Sequence, residues 1–241
     1  MDYGRKSPCN HGTFAVWTDG FQETSVGYTL EVKTGTFLNL ILKYSIHSHD
    51  WNNAWEQRKL GDYVERITRK NTNNESQLPL TISAQFGLVD QITFFNNRVA
   101  SRDVSNYYLV YKGEFAYNKS TSDGFPVGAV KRLDLYSKGV LSTLYIVFKI
   151  KTAELLDSDF LTVFFDTDRW HRGVYERAAE GARNHGLLNI SAEDFFEVQG
   201  YFPKQILEQA RIGQFFQSLD RLITLHQRKS ILVQCGKRTH D

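Results

Sequence analysis

The C-terminal part of the chain, from about Lys204 to Val233, has apolar residues spaced as on one face of a long helix. The seam positions follow in alternating steps of four and three, at Ile212, Phe216, Leu219, Ile223, His226, Ser230 and Val233. A helix of about thirty residues is about 45 Å long, which is too long to bury fully against a small domain. The heptad spacing therefore predicts that this seam contacts a second helix. Neighbouring apolar residues at Phe215, Leu222 and Leu225 widen the stripe, so packing on the chain's own domain is the alternative.

The middle of the chain is predicted to contain several short β-strands. Runs of β-branched and aromatic residues are bounded there by Gly, Asn and Asp, and Lys112-Gly113 between two of them is typical of a hairpin turn. The predicted strands are 80–84, 107–111, 114–118, 129–133 and 144–149. Hydrophobic residues make up 41% of the chain, which is enough to form a core around such strands.

Helical segments are predicted between and after these strands. Residues 63–67 have the pattern of a short amphipathic turn or helix, and residues 158–177 suit one or two helices with Ser158 as N-cap. Ser191-Ala-Glu-Asp194 resembles a capping box, residues 195–202 return towards a strand, and Pro203 opens the long helix. The predicted fold class is α+β, with a mixed, strand-rich domain followed by a long C-terminal coiled-coil-forming helix.

The predicted organisation has four parts: an unassigned extension at 1–50, the strand-rich domain at 51–202, the helix at 203–233 and a tail at 234–241. Cys9 and Cys235 form neither a metal-ligand set nor a disulfide framework, which is typical of a reducing compartment. The N-terminus lacks the pattern of a secretory signal, and the apolar run 37–42 is far shorter than the ~20 residues of a membrane span. We therefore expect a cytoplasmic protein with no membrane partner.

Motifs of the common enzyme classes are missing from the sequence. There is no phosphate-binding loop and no Gly-rich cofactor loop, and the histidines form no metal pair beyond His47 and His49. Four aspartates could hold Mg²⁺ in a nuclease, but helix caps and a solvated face are the favoured interpretation. These are Asp157, Asp159, Asp166 and Asp168. The chain is predicted to be non-catalytic, with no cofactor and no metal.

A DNA-binding surface would have to be a local patch, because the net charge is only +2. Residues 98–132 contain six basic and three acidic side chains, and Tyr117-Asn-Lys-Ser120 offers donors suited to phosphates and base edges. The candidate DNA-binding residues of this stretch are Arg102, Lys119, Ser120, Lys131 and Arg132. Ordinary surface charges that bracket a hairpin are the alternative interpretation.

A second candidate element is the loop Gly181-Ala-Arg-Asn-His-Gly186. Its two glycines permit a tight or left-handed backbone. Arg183, Asn184 and His185 could contact guanine, adenine or phosphate. The equally weighted alternative is a structural turn between helix and strand, in which Arg183 caps carbonyl groups.

Taken together, several segments resemble the specificity subunit of type I restriction–modification systems. The segments are 55–61, 80–84, 117–120, 128–133, 139–148, 181–190 and 208–229. The resemblance implies a globular target-recognition domain followed by a spacer helix. It also implies that two such units read the two halves of a split target in double-stranded DNA. The partners that it implies are modification (methyltransferase) subunits and a restriction subunit, so that this protein would supply the address and not the chemistry.

The resemblance also implies roles for particular residues. Lys119, Ser120, Arg183, Asn184 and His185 would face DNA, and Ile212, Phe216, Leu219 and Ile223 would contact another helix. The chain has one recognition unit where a full subunit has two, so we expect either a half-length subunit that homodimerises through its helix or an inactive truncated product. A protein–protein interaction module that does not bind DNA is the alternative function.

Overall fold

A computed structural model describes residues 54–83, 86–122, 124–178 and 186–237, with the backbone alone for 227–237. The chain divides into two units. One is Lys33–Ser218, and its described part holds all the strands. The other combines Met1–Val32 with Leu219–Asp241, and its described part is the C-terminal portion of the last helix. The predicted extension at 1–50 lies outside the described residues, and the predicted domain boundaries stay predictions.

An antiparallel four-stranded sheet forms the centre of the larger unit, in the order β2-β9-β6-β7. Both of its faces are covered, as the alternation of side chains shows. Phe115 and Tyr117 belong to one core cluster, whereas Ala116 between them belongs to another. These strands are β2 (Val64–Ile67), β6 (Phe115–Asn118), β7 (Ala129–Arg132) and β9 (Ile146–Ile150).

Three helices cover one face of the central sheet with aromatic side chains. They are α3 (Ser158–Phe165), α4 (His171–Arg177) and α5 (Ala192–Phe196). Tyr117 stacks on Phe195 at 4.5 Å between ring centroids, and Trp170 meets Tyr117 edge-on at 5.7 Å. Both polar tips have partners, because Tyr117 donates to the carbonyl oxygen of Val127 and Trp170 to that of Phe165. Burial raises the pKa of Tyr117.

The opposite face of the sheet is covered by two antiparallel two-stranded sheets, β3 with β4 and β5 with β8. Their buried side chains, among them Leu80, Leu88 and Leu141, form the second core cluster with Ala116 and Val147. A short helix, α2, follows β4 directly. The elements are β3 (Leu80–Ser83), β4 (Gly87–Asp90), α2 (Gln91–Phe95), β5 (Tyr108–Tyr111) and β8 (Lys138–Leu141).

The long helix α6 (Ile206–Lys237) is joined to the domain at its beginning. Gln209 is 1% exposed and its side chain satisfies three backbone groups of the domain. It accepts a hydrogen bond from the amide nitrogen of Asp157 and donates to the carbonyl oxygens of Leu155 and Pro203. Before this helix, β1 (Trp55–Lys59) leads through α1 (Leu60–Tyr63) into the central sheet, and β10 (Gln199–Pro203) pairs with β1.

Gly213 marks a close approach between α6 and α3. A Cβ atom at this position would lie 2.7 Å from the Cβ atom of Asp159 and from the backbone nitrogen of Phe160. Ile212 packs against the first core cluster and Phe216 is 3% exposed. One face of the first turns of α6 therefore contacts the chain's own domain. For these turns, this agrees with the alternative interpretation of the apolar stripe, in which it packs on its own domain and not on a partner helix.

The predicted α+β class is confirmed, and the five predicted strands are present, with ends shifted by up to two residues. Residues 64–67, predicted as helix or turn, are strand β2 because Val64 and Ile67 fill opposite faces of the sheet. The sequence analysis missed β1, β4, α2 and β8. Residues 158–177, predicted to form one or two helices, form two.

The helix ends differ from the prediction in detail. Asp157, and not Ser158, caps α3 by accepting a hydrogen bond from the amide nitrogen of Phe160. Ser191 caps α5 by accepting a hydrogen bond from the amide nitrogen of Asp194, as the capping box predicts, and the Asp194 carboxylate accepts from the Ser191 hydroxyl. Pro203 is the last residue of β10, and α6 begins three residues later. Within the described residues, no helix is both long and apolar enough to cross a membrane.

Candidate nucleic-acid interface

The structure brings together the two segments that the sequence analysis singled out separately. Residues 119–121 lie beside residues 186–188 at an isolated antiparallel β-bridge, with Ser120 opposite Leu187. The amide nitrogen of Thr121 donates to the carbonyl oxygen of Gly186 at 2.7 Å, and the amide nitrogen of Leu188 donates to that of Lys119 at 3.0 Å. We call residues 119–121 and 186–188 together the paired loop.

Local chemistry fixes the shape of the paired loop. Gly186 has a φ angle of +70°, which L-residues with a side chain rarely adopt. The side-chain oxygen of Asn118 accepts a hydrogen bond from the amide nitrogen of Ser120 at 3.0 Å, so the chain turns directly after β6. The bridge thus holds residues 186–188 beside the segment that directly follows β6 of the central sheet.

Two of the predicted DNA-facing residues, Lys119 and Ser120, lie in the paired loop, and their surroundings differ. Ser120 is exposed and Leu187 opposite it is 40% exposed. Lys119 is half-buried, and its ammonium group donates to the carbonyl oxygen of Ile190 at 3.4 Å. Arg183, Asn184 and His185 lie outside the described residues, immediately before Gly186.

Lys131 and Arg132, two of the predicted DNA-binding residues, form ion pairs with carboxylates of the domain. Lys131 lies 2.6 Å from a carboxylate oxygen of Asp166, and Arg132 lies 2.7 Å from both Asp134 and Asp159. The side chains of Lys131 and Arg132 are only 16% and 13% exposed. Burial disfavours the charge of Arg132, but the hydrogen bonds to the two aspartates outweigh burial and raise its pKa. Charges neutralised in this way contribute little to an anion-binding surface.

The same contacts explain most of the aspartate cluster that was weighed as a nuclease site. Asp157 caps α3, whereas Asp159 and Asp166 pair with Arg132 and Lys131. These acids therefore serve as a helix cap and as ion-pair partners of strand β7. Among the residues that the structure describes, no group of three or more His, Cys, Asp or Glu side chains could hold a metal ion.

Arg102 is exposed and follows an element that sequence reasoning passed over. Helix α2 and the turn after it form a closed loop between β4 and Arg102, with exposed Asn96, Asn97 and Val99. Two signals could have revealed it: Asp90 as an N-cap and the Asn-Asn pair as a helix stop. The structure records no hydrogen bond or ion pair between the Arg102 side chain and another described residue.

Helix α6 presents a second apolar stripe besides the one that faces the domain. Phe215, Leu222 and Leu225 are 51%, 63% and 52% exposed. Leu222 follows Phe215 by seven residues and precedes Leu225 by three, which is coiled-coil spacing. Of the four predicted helix-contact residues, Ile212 and Phe216 contact or lie buried in the chain's own fold, and Leu219 and Ile223 are half-buried.

Comparisons with known proteins identify the fold. No protein-family model and no curated protein sequence matches this chain. A chain in a structure of complex assembly and conformational transition of the type I restriction–modification system matches with a TM-score of 0.51 at 13% identity, over 74% of this chain and 45% of that chain. The HsdS subunit from Thermoanaerobacter tengcongensis matches with a TM-score of 0.52 at 16% identity, over 75% of this chain and 46% of that chain.

This chain therefore matches less than half the length of each of the two solved chains. The described part of this chain has the mixed helix-and-strand domain and the long C-terminal helix that the sequence resemblance implied. The described part of this chain has the fold of a type I restriction–modification specificity subunit.

Proposed function

We propose that this protein is the DNA-specificity component of a type I restriction–modification complex. It reads one part of a split target in double-stranded DNA and performs no chemistry itself. The observation that carries the proposal is the paired loop, which joins two candidate reading segments more than sixty residues apart on a domain of this fold. A rigid scaffold with exposed loops is the usual arrangement of a binding protein.

The proposal assigns different roles to phosphate contacts and to base contacts. Lys and Arg contacts to phosphates position a protein on the duplex, and a few side chains in the major groove select bases. Lys119 and Ser120 of the paired loop, and Arg183 shortly before Gly186 in the sequence, are the proposed phosphate contacts. Asn184 and His185 are proposed to reach base edges. The ammonium group of Lys119 lies 3.4 Å from the carbonyl oxygen of Ile190, and it is proposed to exchange this contact for a phosphate.

The other half of the target is proposed to be read by a second recognition unit, with the exposed stripe of α6 as the contact between the two. Exposed apolar side chains at coiled-coil spacing favour a partner helix. If the second unit is another copy of this chain, the interface is isologous and the target is symmetric. Modification and restriction subunits are the proposed further partners, in the cytoplasm.

Selection from a pool of duplex DNA with a randomised central segment tests the proposal directly. The chain should enrich a sequence motif and should bind duplexes with an affinity that falls steeply with salt. The double variant Lys119→Ala with Arg183→Ala should reduce the slope of log affinity against log salt by about two, since each lost phosphate contact releases about one counterion fewer. Lys131→Ala is the matched control and should leave the slope unchanged.

Two results would contradict the proposal. One is the absence of any enriched motif, which would favour an interaction module that does not bind DNA. The other is an unchanged salt slope in the double variant. Recruitment is tested separately by co-expression with the modification subunit of the same source in an unmethylated strain, followed by sequencing of modified adenines. A split modified motif is expected, and a palindromic one would identify a working homodimer.

A further inference from the structure

The segment from Gln91 to Arg102, here called loop 91–102, is closed at its base. The side-chain oxygen of Gln91 accepts a hydrogen bond of 2.7 Å from the amide nitrogen of Ala100, which is buried. Asp90 caps the helical turn through the amide nitrogen of Ile92. Asn96 ends that turn with a left-handed backbone, at a φ angle of 50°. The loop consequently has a defined shape although most of its side chains face solvent.

Loop 91–102 exposes large apolar side chains. Phe95 is 50% exposed and Val99 is 67% exposed. Ile92 lies three residues before Phe95 on the same face of α2 and is 37% exposed. The ring of Phe94 meets that of Phe95 edge-on at 5.0 Å, which restrains its orientation. Single exposed apolar residues are common, but several on one short projecting loop indicate a binding surface.

The polar side chains of loop 91–102 favour DNA as the partner. Between Gln91 and Arg102 there are two arginines and no acidic residue. The flanking acids face the loop's own chain: Asp90 accepts from the amide nitrogen of Ile92, and Asp103 from that of Ser105. Arg102 and Asn97 are exposed, and no hydrogen bond of their side chains to another described residue is recorded.

We propose that loop 91–102 enters the major groove of duplex DNA as a second reading element, an inference that rests on the proposed function. Asn97 pairs with the edge of an adenine, for which its amide has the matching donor and acceptor. Phe95 and Val99 pack against thymine methyl groups, and Arg102 contacts a phosphate. A single helical turn with its side chains is about 10 Å wide, and the groove is about 12 Å wide.

The test uses the full chain in the same selection from randomised duplexes. Asn97→Ala should reduce the preference for one base pair of the enriched motif by roughly tenfold, because one bidentate contact is lost. Asn97→Asp should shift that preference from adenine towards cytosine, since a carboxylate accepts from the cytosine amino group. Asn73→Ala, at an exposed asparagine between β2 and β3, is the matched control and should leave the motif unchanged.

Arg102→Ala checks the phosphate contact independently. It should weaken binding to all sequences alike and lower the salt slope by about one, with no change in the motif. Thermal unfolding of each variant verifies that the domain is intact.

The outcomes separate this inference from the proposed function. If the wild-type chain enriches a motif and both Asn97 variants enrich the same one at every position, loop 91–102 is not a reading element and the proposed function stands. If the wild-type chain enriches no motif, both proposals fail. A lost preference with Asn97→Ala, or a shift to cytosine with Asn97→Asp, supports the inference.

Discussion

The backbone amide of Asp157, the N-cap residue of α3, donates a hydrogen bond of 2.8 Å to the buried side-chain oxygen of Gln209 in α6. Both ends of the amide group of Gln209 are used, since its nitrogen donates to the carbonyl oxygens of Leu155 and Pro203. One polar side chain thus connects the beginning of the long helix to two other segments of the domain. Buried polar groups satisfied in this way favour one geometry over nearby ones.

Replacement of this residue should therefore destabilise the domain. Gln209→Ala leaves the amide of Asp157 and the carbonyl of Pro203 without their partner, and we expect the free energy of unfolding to fall by about 1–3 kcal/mol. Chemical denaturation measures the change. Gln214→Ala, on an exposed position of the same helix, should alter the stability by less than about 0.5 kcal/mol. Equal effects of the two substitutions would show that the buried hydrogen bonds are not responsible.

The ion pairs of β7 predict an effect on stability that leaves DNA affinity unchanged. Arg132→Ala removes the partner of Asp134 and Asp159, and the free energy of unfolding should fall by roughly 1–2 kcal/mol, because the carboxylates remain partly hydrated. Arg172→Ala breaks a pair between Arg172 and Glu176 whose arginine is 89% exposed, and should cost less than about 0.5 kcal/mol. A loss of DNA affinity in the folded Arg132 variant would restore this residue to the DNA-facing set.

The exposed stripe of α6 predicts self-association of the chain or association with a second unit. In a chain that forms dimers, Leu222→Lys with Leu225→Lys should shift the sedimentation coefficient to that of the monomer, because two charges enter an apolar seam. Gln217→Lys with Thr224→Lys adds the same charge at exposed polar positions and should leave the dimer intact. Leu219→Lys with Ile223→Lys tests the stripe that the sequence alone suggested. A wild-type chain that remains monomeric in the tens of micromolar range would contradict self-pairing.

His171 predicts a pH dependence of stability with a definite sign. Burial lowers its pKa below 6.5, and the charge of Asp168 opposes that shift in part. Between 6.5 and the lower pKa of the folded state, the unfolded chain binds more protons than the folded one. The free energy of unfolding should therefore fall as the pH decreases through this window.

The variant His171→Gln isolates this contribution from that of all other groups. Its thermal unfolding midpoint should change less between pH about 7.5 and pH about 5.5 than that of the wild-type chain. Identical changes in the two proteins would show that the imidazole keeps its ordinary pKa in the folded state.

The strands that were predicted correctly contain residues with a high strand propensity whose side chains are also buried in the core. Phe115-Ala-Tyr117 carries apolar side chains on both faces, as expected for a sheet covered on both sides. Strand β8 was missed because Gly139 looks like a breaker. In the structure, the side chain of Leu80 occupies the space that a Cβ atom of Gly139 would need.

The site was predicted in part, and its limits have a physical origin. Charge counting along the chain cannot detect that Asp159 and Asp166 neutralise the basic pair of β7, since they are separated from it by about thirty residues. Periodicity likewise cannot reveal the contact of Thr121 with Gly186, which depends on how the sheet folds. What the sequence could supply was the set of residue types in each loop, and the tertiary structure decides which of them meet.

The ion pairs of Lys131 and Arg132 affect which positions of this domain can vary during evolution. Lys131 and Arg132 form ion pairs within the domain, so we expect a substitution at either residue to lower the stability of the domain. Among the described residues, the paired loop is buried at Leu188 and loop 91–102 at Ala100, whereas Ser120 and Asn97 are exposed. If these loops read DNA as proposed, new target preferences can arise by substitution, lengthening or exchange of the loops on an unaltered domain.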